Sequence, residues 1–135
     1  MTLYMLDTNS VSYLIRGNAE IASRLQEVSM AALGVSAITK AELMFGLARR
    51  PEATRLQLVV REFLRRVDVL PWDDAVAEGY GALKAQMTAQ GLILAPLDLL
   101  IAAHALNQRR VLVTSDHSFN LVPGLKIEDW TLAGS

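Results

Sequence analysis

The sequence contains no cysteine among its 135 residues and only two histidines. The lack of cysteine excludes disulfide bonds, thiol catalysis and thiolate metal sites, and it favours a reducing compartment. Three catalytic motifs are also missing: a glycine-rich phosphate loop, a Gly-x-Ser-x-Gly elbow and a His-Glu-x-x-His zinc site. Any metal ion would therefore be held mainly by oxygen, and nucleotide-loop, serine-hydrolase and zinc-protease activities have no residues to support them.

Long apolar segments are scarce as well. The longest apolar run, Leu99–Ala103, ends at His104 and is far shorter than the roughly 20 residues of a membrane span. No basic segment followed by a long apolar run is found near residue 1, so we expect no signal peptide, no membrane partner and a cytoplasmic location. The formal net charge of -1 excludes a globally basic nucleic-acid binder, although it says nothing about local patches.

The chain is rich in aliphatic residues: 52% of its side chains are apolar but only 6% are aromatic. We therefore expect an aliphatic core, and the length of the chain predicts one domain over residues 1–135. Short apolar runs that suit buried strands alternate with segments of helical periodicity. This alternation predicts an α/β fold in which a central parallel sheet of four to five strands is covered by helices on both faces. The predicted strands are 3–6, 33–36, 67–70, 111–114 and 125–128, and the predicted helices are 10–16, one from 19, 39–50, 52–66, 74–90 and 99–106.

Two of these helices carry predictions about individual residues. In the third, Thr39 is predicted to cap the N-terminus, Glu42 to lie in the first turn, and Phe45 to face the core. The fourth is predicted to begin at Glu52. One apolar stripe of that helix contains Leu56, Val59, Val60, Phe63 and Val67, with the arginines mostly on the opposite face.

The first strand ends abruptly on Asp7, which is followed by Thr8 and Asn9. Parallel α/β sheets bind their ligands in the crevice at the carboxyl ends of the strands, so Asp7 is placed where a site would form. Asp and Asn are also preferred helix caps, and a capping role for Asp7 is an equally good interpretation of this stretch alone. If Asp7 serves a site, the cap falls to Thr8 or Asn9.

Three further acids are predicted to reach the same edge of the sheet. Asp116 follows the strand at 111–114, while Glu42 and Asp98 lie near helix N-termini, where each could also be a simple cap or first-turn acid. Carboxylates packed together repel one another unless a cation neutralises them. An all-oxygen acidic cluster suits Mg²⁺ or Mn²⁺, and the usual work of such a site is phosphodiester chemistry.

Polar and basic residues surround these acids. Asn9, Thr114 and Ser115 flank the two strand-end acids and could bind substrate or metal-bound water, or cap the helices that follow. His104 is expected in the core and His117 in a solvated loop. Residues 49–66 form a local basic patch in which Arg49 and Arg50 are the substrate-binding candidates; its arginines are Arg49, Arg50, Arg55, Arg61, Arg65 and Arg66, against Glu52 and Glu62.

Four motifs in this order resemble the PIN-domain ribonucleases, in particular the VapC toxins of bacterial toxin-antitoxin pairs. The motifs are Met5-Leu6-Asp7-Thr8-Asn9, Ile38-Thr39-Lys40-Ala41-Glu42-Leu43, the segment from Pro96 to Ala105, and Val113-Thr114-Ser115-Asp116 with Phe119 and Val122-Pro123-Gly124-Leu125. The resemblance covers nearly the whole chain. Two departures stand out: Leu97 replaces a frequent methionine, and the loop from 115 to 120 follows no fixed pattern.

The resemblance implies a metal-dependent endoribonuclease that cuts structured RNA, commonly transfer RNA and sometimes ribosomal RNA. It assigns the catalytic and metal-binding quartet to Asp7, Glu42, Asp98 and Asp116, and a hydroxyl near the metal to Thr114. It also implies Mg²⁺ as the cofactor with Mn²⁺ as a substitute, a homodimer, and a small VapB-like antitoxin whose C-terminal segment blocks the metal site.

Two other functions are compatible with the residues. Asp7 at the end of the first strand also suits a phospho-aspartate receiver or phosphatase, although the phosphatase pattern needs an aspartate where Asn9 stands. A non-catalytic binding module with a PIN-like fold is the other alternative.

Overall fold

The computed structural model describes residues 1–132. Five strands are present in this part of the chain: β1 (Tyr4–Leu6), β2 (Leu33–Ser36), β3 (Asp68–Leu70), β4 (Val111–Val113) and β5 (Ile127–Glu128). The α-helices are α1 (Thr8–Ile15), α2 (Ala19–Gln26), α3 (Ala37–Ala48), α4 (Thr54–Arg66), α5 (Asp74–Ala89) and α6 (Pro96–Gln108). Two short 3-10 helices, Met30–Ala32 and His117–Leu121, are also present in the described residues.

The five strands form one parallel sheet in the order β3-β2-β1-β4-β5, which confirms the predicted α/β fold. β1 lies in the middle, where Met5 pairs with Gly34 on one side and with Leu112 on the other. Because all the strands are parallel, their carboxyl ends meet at one edge of the sheet. Residues that directly follow β1, β2 and β4 therefore come together at this edge.

Alternate strand residues serve two hydrophobic layers, one on each face of the sheet. Met5 and Leu112 pack with α5 and α6 on one face, whereas Leu6 and Val113 pack with helices α1 to α4 on the other. Helix α6 is the most buried helix, as its nearly continuous apolar sequence predicted, with Ile101 to Ala105 almost fully covered. No helix within residues 1–132 is long and apolar enough to cross a membrane.

The beginning of α3 differs from the prediction. Ser36, not Thr39, is the N-cap, because Ser36 Oγ accepts a hydrogen bond from the Ile38 N–H at 3.1 Å. The helix therefore starts at Ala37, two residues before Thr39, and Thr39 is buried inside it. Glu42 consequently lies in the second turn of α3 and not in the first.

Two apolar side chains that were predicted to be buried are exposed. Phe45 is 64% exposed, because the buried face of α3 is supplied by Thr39, Leu43 and Leu47. Val59 is 38% exposed, since Val60 takes the buried position of α4. Helix α4 also starts at Thr54, two residues later than predicted.

Candidate active site

Asp7 joins the central strand to the first helix. Its backbone N–H donates to the Val113 carbonyl at 3.0 Å, and its Oδ1 accepts the Ser10 N–H at 2.8 Å. Asp7 is therefore the N-cap of α1 as well as the end of β1. The prediction that Thr8 or Asn9 would take the capping role was wrong, because one carboxylate oxygen of Asp7 fills it.

The Asp7 carboxyl group is almost completely buried, with the residue only 3% exposed. Burial raises its pKa, and the negative charge of Asp116 adds to this effect. Contacts with the Thr114 hydroxyl and with Ser10 act in the opposite direction and favour the ionised form. The net pKa is raised, so the protein holds a carboxylate here at a cost.

The carboxylate of Glu42 is held by the hydroxyl group of Thr8, which in turn contacts the hydroxyl group of Thr39. The sequence did not predict these contacts. Thr8 Oγ1 lies 2.7 Å from Glu42 Oε1 and 3.2 Å from Thr39 Oγ1. Thr8 has a single hydroxyl proton and a carboxylate only accepts, so Thr8 donates to Glu42 and accepts from Thr39. The residue after Asp7 thus orients Glu42, and no local sequence signal connects positions so far apart.

Asp98 lies in the first turn of α6, whose N-cap position is taken by Ala95 without a side-chain hydrogen bond. The interpretation of Asp98 as a simple cap is therefore wrong. Burial raises the pKa of Asp98 to about 6, together with the negative charges of Asp116, Asp7 and Glu42. All three of the other predicted acids lie near enough to Asp98 to affect its pKa, in agreement with their positions at one edge of the parallel sheet. We refer to this acidic edge as the acidic cleft.

Asp116 differs from the other three acids. It caps the 3-10 helix that follows β4, and its Oδ1 accepts the Ser118 N–H at 2.9 Å. Hydrogen bonding to Ser118 lowers the pKa of Asp116. Its own N–H donates to Thr114 Oγ1 at 3.0 Å, which also fixes the buried Thr114 hydroxyl beside Asp7.

The predicted substrate-binding residues occupy different positions around the cleft. Asn9 and Arg50 line a cavity of about 390 Å³ between α1, α3 and α4, and Glu42 lies in its wall. The Arg49 guanidinium lies over the Phe45 ring, 5.5 Å from its centroid. Ser115 is half-buried between Thr114 and Asp116. Only Thr114 of these residues is shown in contact with an acid of the quartet within residues 1–132.

The two histidines lie where they were expected, one in the core and one in a loop. His104 is fully buried on α6, and its Nδ1 is 2.7 Å from Ser36 Oγ. Its Nε2 has no partner with hydrogen-bond geometry in the described part of the chain, although the nearby Pro71 carbonyl favours the protonated ring. His117 is exposed and 3.5 Å from Asp129.

The donor chemistry of the acidic cleft fits a hard divalent cation. All four side chains offer carboxylate oxygens. Burial raises the pKa of Asp98, repulsion by the other acids adds to the effect, and a bound cation would remove that repulsion. Within residues 1–132, no three acidic or histidine side chains converge closely enough to coordinate one ion together. Mg²⁺ usually retains several waters and takes only one or two carboxylates, so a magnesium ion does not require three converging side chains.

Comparison with known proteins identifies the family. The PIN domain family model matches residues 4–125. The chain belongs to the PIN-domain family. Within the family, Ribonuclease VapC2 of Haemophilus influenzae is 36% identical, with 96% of this chain and 99% of the relative covered. The tRNA(fMet)-specific endonuclease VapC of Salmonella typhimurium is 32% identical, with 96% of this chain and 99% of the relative covered.

Solved structures show the same PIN-domain fold. The DNA-bound VapBC structure from Salmonella typhimurium contains a chain that matches with a TM-score of 0.89 at 32% identity, covering 96% of this chain and 99% of that chain. VapBC2 from Rickettsia felis, bound to a promoter DNA fragment, matches with a TM-score of 0.86 at 30% identity, covering 94% and 98%. The predicted resemblance to VapC is confirmed, and none of these relatives supports the phospho-aspartate alternative.

Proposed function

We propose that this PIN-domain protein is a metal-dependent endoribonuclease and the toxin of a toxin-antitoxin pair. The observation that carries the proposal is structural: Asp7 and Asp116 follow β1 and β4, and Glu42 and Asp98 lie near the starts of α3 and α6, so all four acids lie at one edge of the parallel sheet. Burial and the negative charges of the other three acids raise the pKa of Asp98 to about 6, in agreement with this arrangement. The relatives that are named ribonuclease or tRNA endonuclease over nearly the whole chain support the same activity.

PIN-domain nucleases generally depend on a divalent metal ion, and we propose Mg²⁺ here, with Mn²⁺ as a substitute. Asp7, Asp98 and Asp116 would hold the ion, at most two of them directly and the rest through water, and Glu42 is available to a second ion or to a water molecule. A bound divalent cation supplies charge neutralisation at the phosphate and a lower pKa for bound water.

The protein side chains have separate tasks in this proposal. The Thr8 hydrogen bond fixes one oxygen of Glu42, which leaves the other oxygen to orient the attacking water. Asp7 is immobilised by its helix cap, and Asp116 by the Ser118 N–H. Water attacks the phosphorus in line and the 3′ oxygen leaves, which gives a 5′-phosphate and a 3′-hydroxyl.

Structured RNA is the proposed substrate class, with transfer RNA first because a relative of 32% identity is named a tRNA(fMet)-specific endonuclease. Asn9, Arg49, Arg50, Thr114 and Ser115 are the proposed substrate contacts. Arg49 and Arg50 are exposed at the end of α3, the helix that carries Glu42, and their charges would offset the repulsion between the acidic cleft and a polyanion.

A VapB-like antitoxin is the proposed protein partner, since the similar solved structures are VapBC complexes. The cavity between α1, α3 and α4 opens beside Glu42 and has the apolar walls that a peptide segment needs, including Leu43, Leu47 and Val60. A homodimer and a cytoplasmic location, where RNA substrates are present, complete the proposal.

Cleavage by purified protein tests the activity. Transfer RNA is incubated with wild type, Asp7→Asn or Asp98→Asn in Mg²⁺, in Mn²⁺ and in chelator, and the new 5′ ends are sequenced. We expect defined cuts with wild type and a divalent ion only, and rates at least about 100-fold lower in both variants. Asparagine keeps the capping ability of Asp7, so its loss of activity would not reflect unfolding. Full activity of both variants would falsify the proposal.

A further inference from the structure

An exposed aromatic ring lies beside the acidic cleft on the helix that carries Glu42. Phe45 is one turn beyond Glu42 on α3, about 4.5 Å further along the helix axis. Ile38, Glu42 and Phe45 follow the helical spacing of one face, and Arg49 continues it. Ile38 packs against the core at the start of this face, and Leu43 and Leu47 supply the core contacts of the rest of α3, so the fold does not need the exposed Phe45 for its packing.

The cations at the end of α3 have no acidic partner among residues 1–132, and one of them, Arg49, lies on the same face as Phe45. Arg49 lies over the Phe45 ring, and neither Arg49 nor Arg50 forms a salt bridge with any residue from 1 to 132. Arg65 and Arg66 provide the contrast on α4, because both pair with Glu62, at 3.1 and 2.9 Å. The face of α3 therefore presents an aromatic surface together with uncompensated positive charge.

We propose that Phe45 and Arg49 form a stacking site for an unpaired nucleotide of the RNA, adjacent to the phosphodiester that the acidic cleft cuts. The inference rests on the proposed ribonuclease function and adds a substrate-binding residue, Phe45. A base stacks on the exposed ring, and the Arg49 guanidinium meets a phosphate or stacks on the same base.

The positive charge of this surface favours RNA as the molecule that binds there. A polyanion must be held beside a cleft of four carboxylates, which repels it, so a cationic flank is needed close to the cleft. Aromatic rings beside basic side chains are how proteins bind single-stranded nucleic acid without base pairing. The surface consequently favours a loop or a single-stranded end of a structured RNA over a continuous duplex.

Binding to a fluorescent RNA tests the stacking site apart from catalysis. The probe is a short single-stranded RNA with one 2-aminopurine, whose emission falls when it stacks, and the protein is the Asp7→Asn variant without metal. Phe45→Ala in this background is expected to weaken binding about tenfold and to abolish the quenching, whereas Phe45→Tyr retains both. Leu58→Ala is the matched control, since Leu58 is 67% exposed on α4, and it should change neither quantity.

Two results would overturn the stacking site. One is quenching and affinity in Phe45→Ala equal to those of its parent. The other is a change in the oligomeric state of Phe45→Ala, measured by light scattering, with RNA binding unaltered. That result would make Phe45 a subunit contact.

In the active protein, Phe45→Ala should raise KM about tenfold with kcat unchanged, because a stacked base is bound equally in ground and transition states. Failure of wild type to cut RNA would remove the nuclease proposal, but the binding result would still be readable.

Discussion

The acidic cleft and the core contact between His104 and Ser36 both bury titratable groups, but the protein treats them in opposite ways. In the cleft, burial and like charges raise the pKa of Asp98, so its ionised form is maintained at a cost in stability. In the core, burial lowers the pKa of His104, so the ring stays neutral and keeps a hydrogen bond to Ser36. Burial favours the uncharged form of both groups, but at neutral pH Asp98, with a pKa of about 6, is still ionised, whereas His104 is neutral.

The largest effect on folding is expected in the core contact. Ser36→Ala removes the partner of His104 Nδ1 and also the N-cap of α3. We expect about 2–4 kcal/mol lower unfolding free energy in urea, since a buried unpaired group and a lost cap each contribute. Ser29→Ala is the control, because Ser29 is an exposed cap of a 3-10 helix without a histidine, and it should cost less than about 1 kcal/mol. Equal losses in the two variants would show that the contact with His104 contributes nothing.

Removal of a hydrogen bond in the acidic cleft is expected to lower activity much more than stability. Thr8→Val keeps the shape of the side chain but deletes the donor to Glu42. Without this donor Glu42 loses the contact that fixes its position, and misplacement of a catalytic group can cost about 100-fold in rate, so RNA cleavage should fall roughly 10- to 100-fold. The melting temperature should change little, because the position is only partly buried. Unchanged cleavage with reduced stability would move Thr8 from the site to the structural scaffold.

The smallest expected effect is a change in how the free energy of unfolding depends on pH. His104 has a lowered pKa in the folded state, so below its unfolded value of 6.5 only the unfolded chain takes up a proton readily. Stability from the neutral ring is therefore present above pH 6.5 and is lost as the pH falls, by at most about 1.4 kcal/mol per pH unit. Asp73 opposes this shift and Arg110 reinforces it.

Urea titrations of wild type and His104→Gln from pH 7.5 to 5.5 measure that difference. The excess stability of wild type over the variant should shrink as the pH falls. The cleft acids with raised pKa values act in the other direction, gaining stability on acidification, and they cancel in the comparison because both proteins contain them. A constant difference across this range would mean that His104 is not held neutral by the fold.

The sequence predicts the sheet and the acids because these depend on local patterns. Apolar runs of strand length and helical periodicity gave the α/β order, and strand ends gave Asp7 and Asp116. Side-chain partners across the fold carry no such signal. The contact of Thr8 with Glu42 and that of Ser36 with His104 join residues on different elements, so packing alone determines them.

The start of α3 and its buried face were also predicted incorrectly from the sequence. Ser36 and Thr39 are both good caps by residue type, and the end of β2 decided between them. Phe45 is apolar at a position that would suit a core if α3 were rotated, but Leu43 and Leu47 fix the buried face. An apolar residue that folding leaves exposed is the signal that pointed to the proposed stacking site.

The melting temperature of wild type and Asp98→Asn, each with and without Mn²⁺, tests the central claim that the cleft retains repelling charges for a cation. Without metal, Asp98→Asn should melt about 3 °C or more above wild type, because about 1 kcal/mol of repulsion and desolvation is relieved after allowance for solvent screening. With Mn²⁺, wild type should gain several degrees and the variant much less. A variant that is less stable than wild type without metal, or equal shifts in both proteins on adding Mn²⁺, would contradict the account.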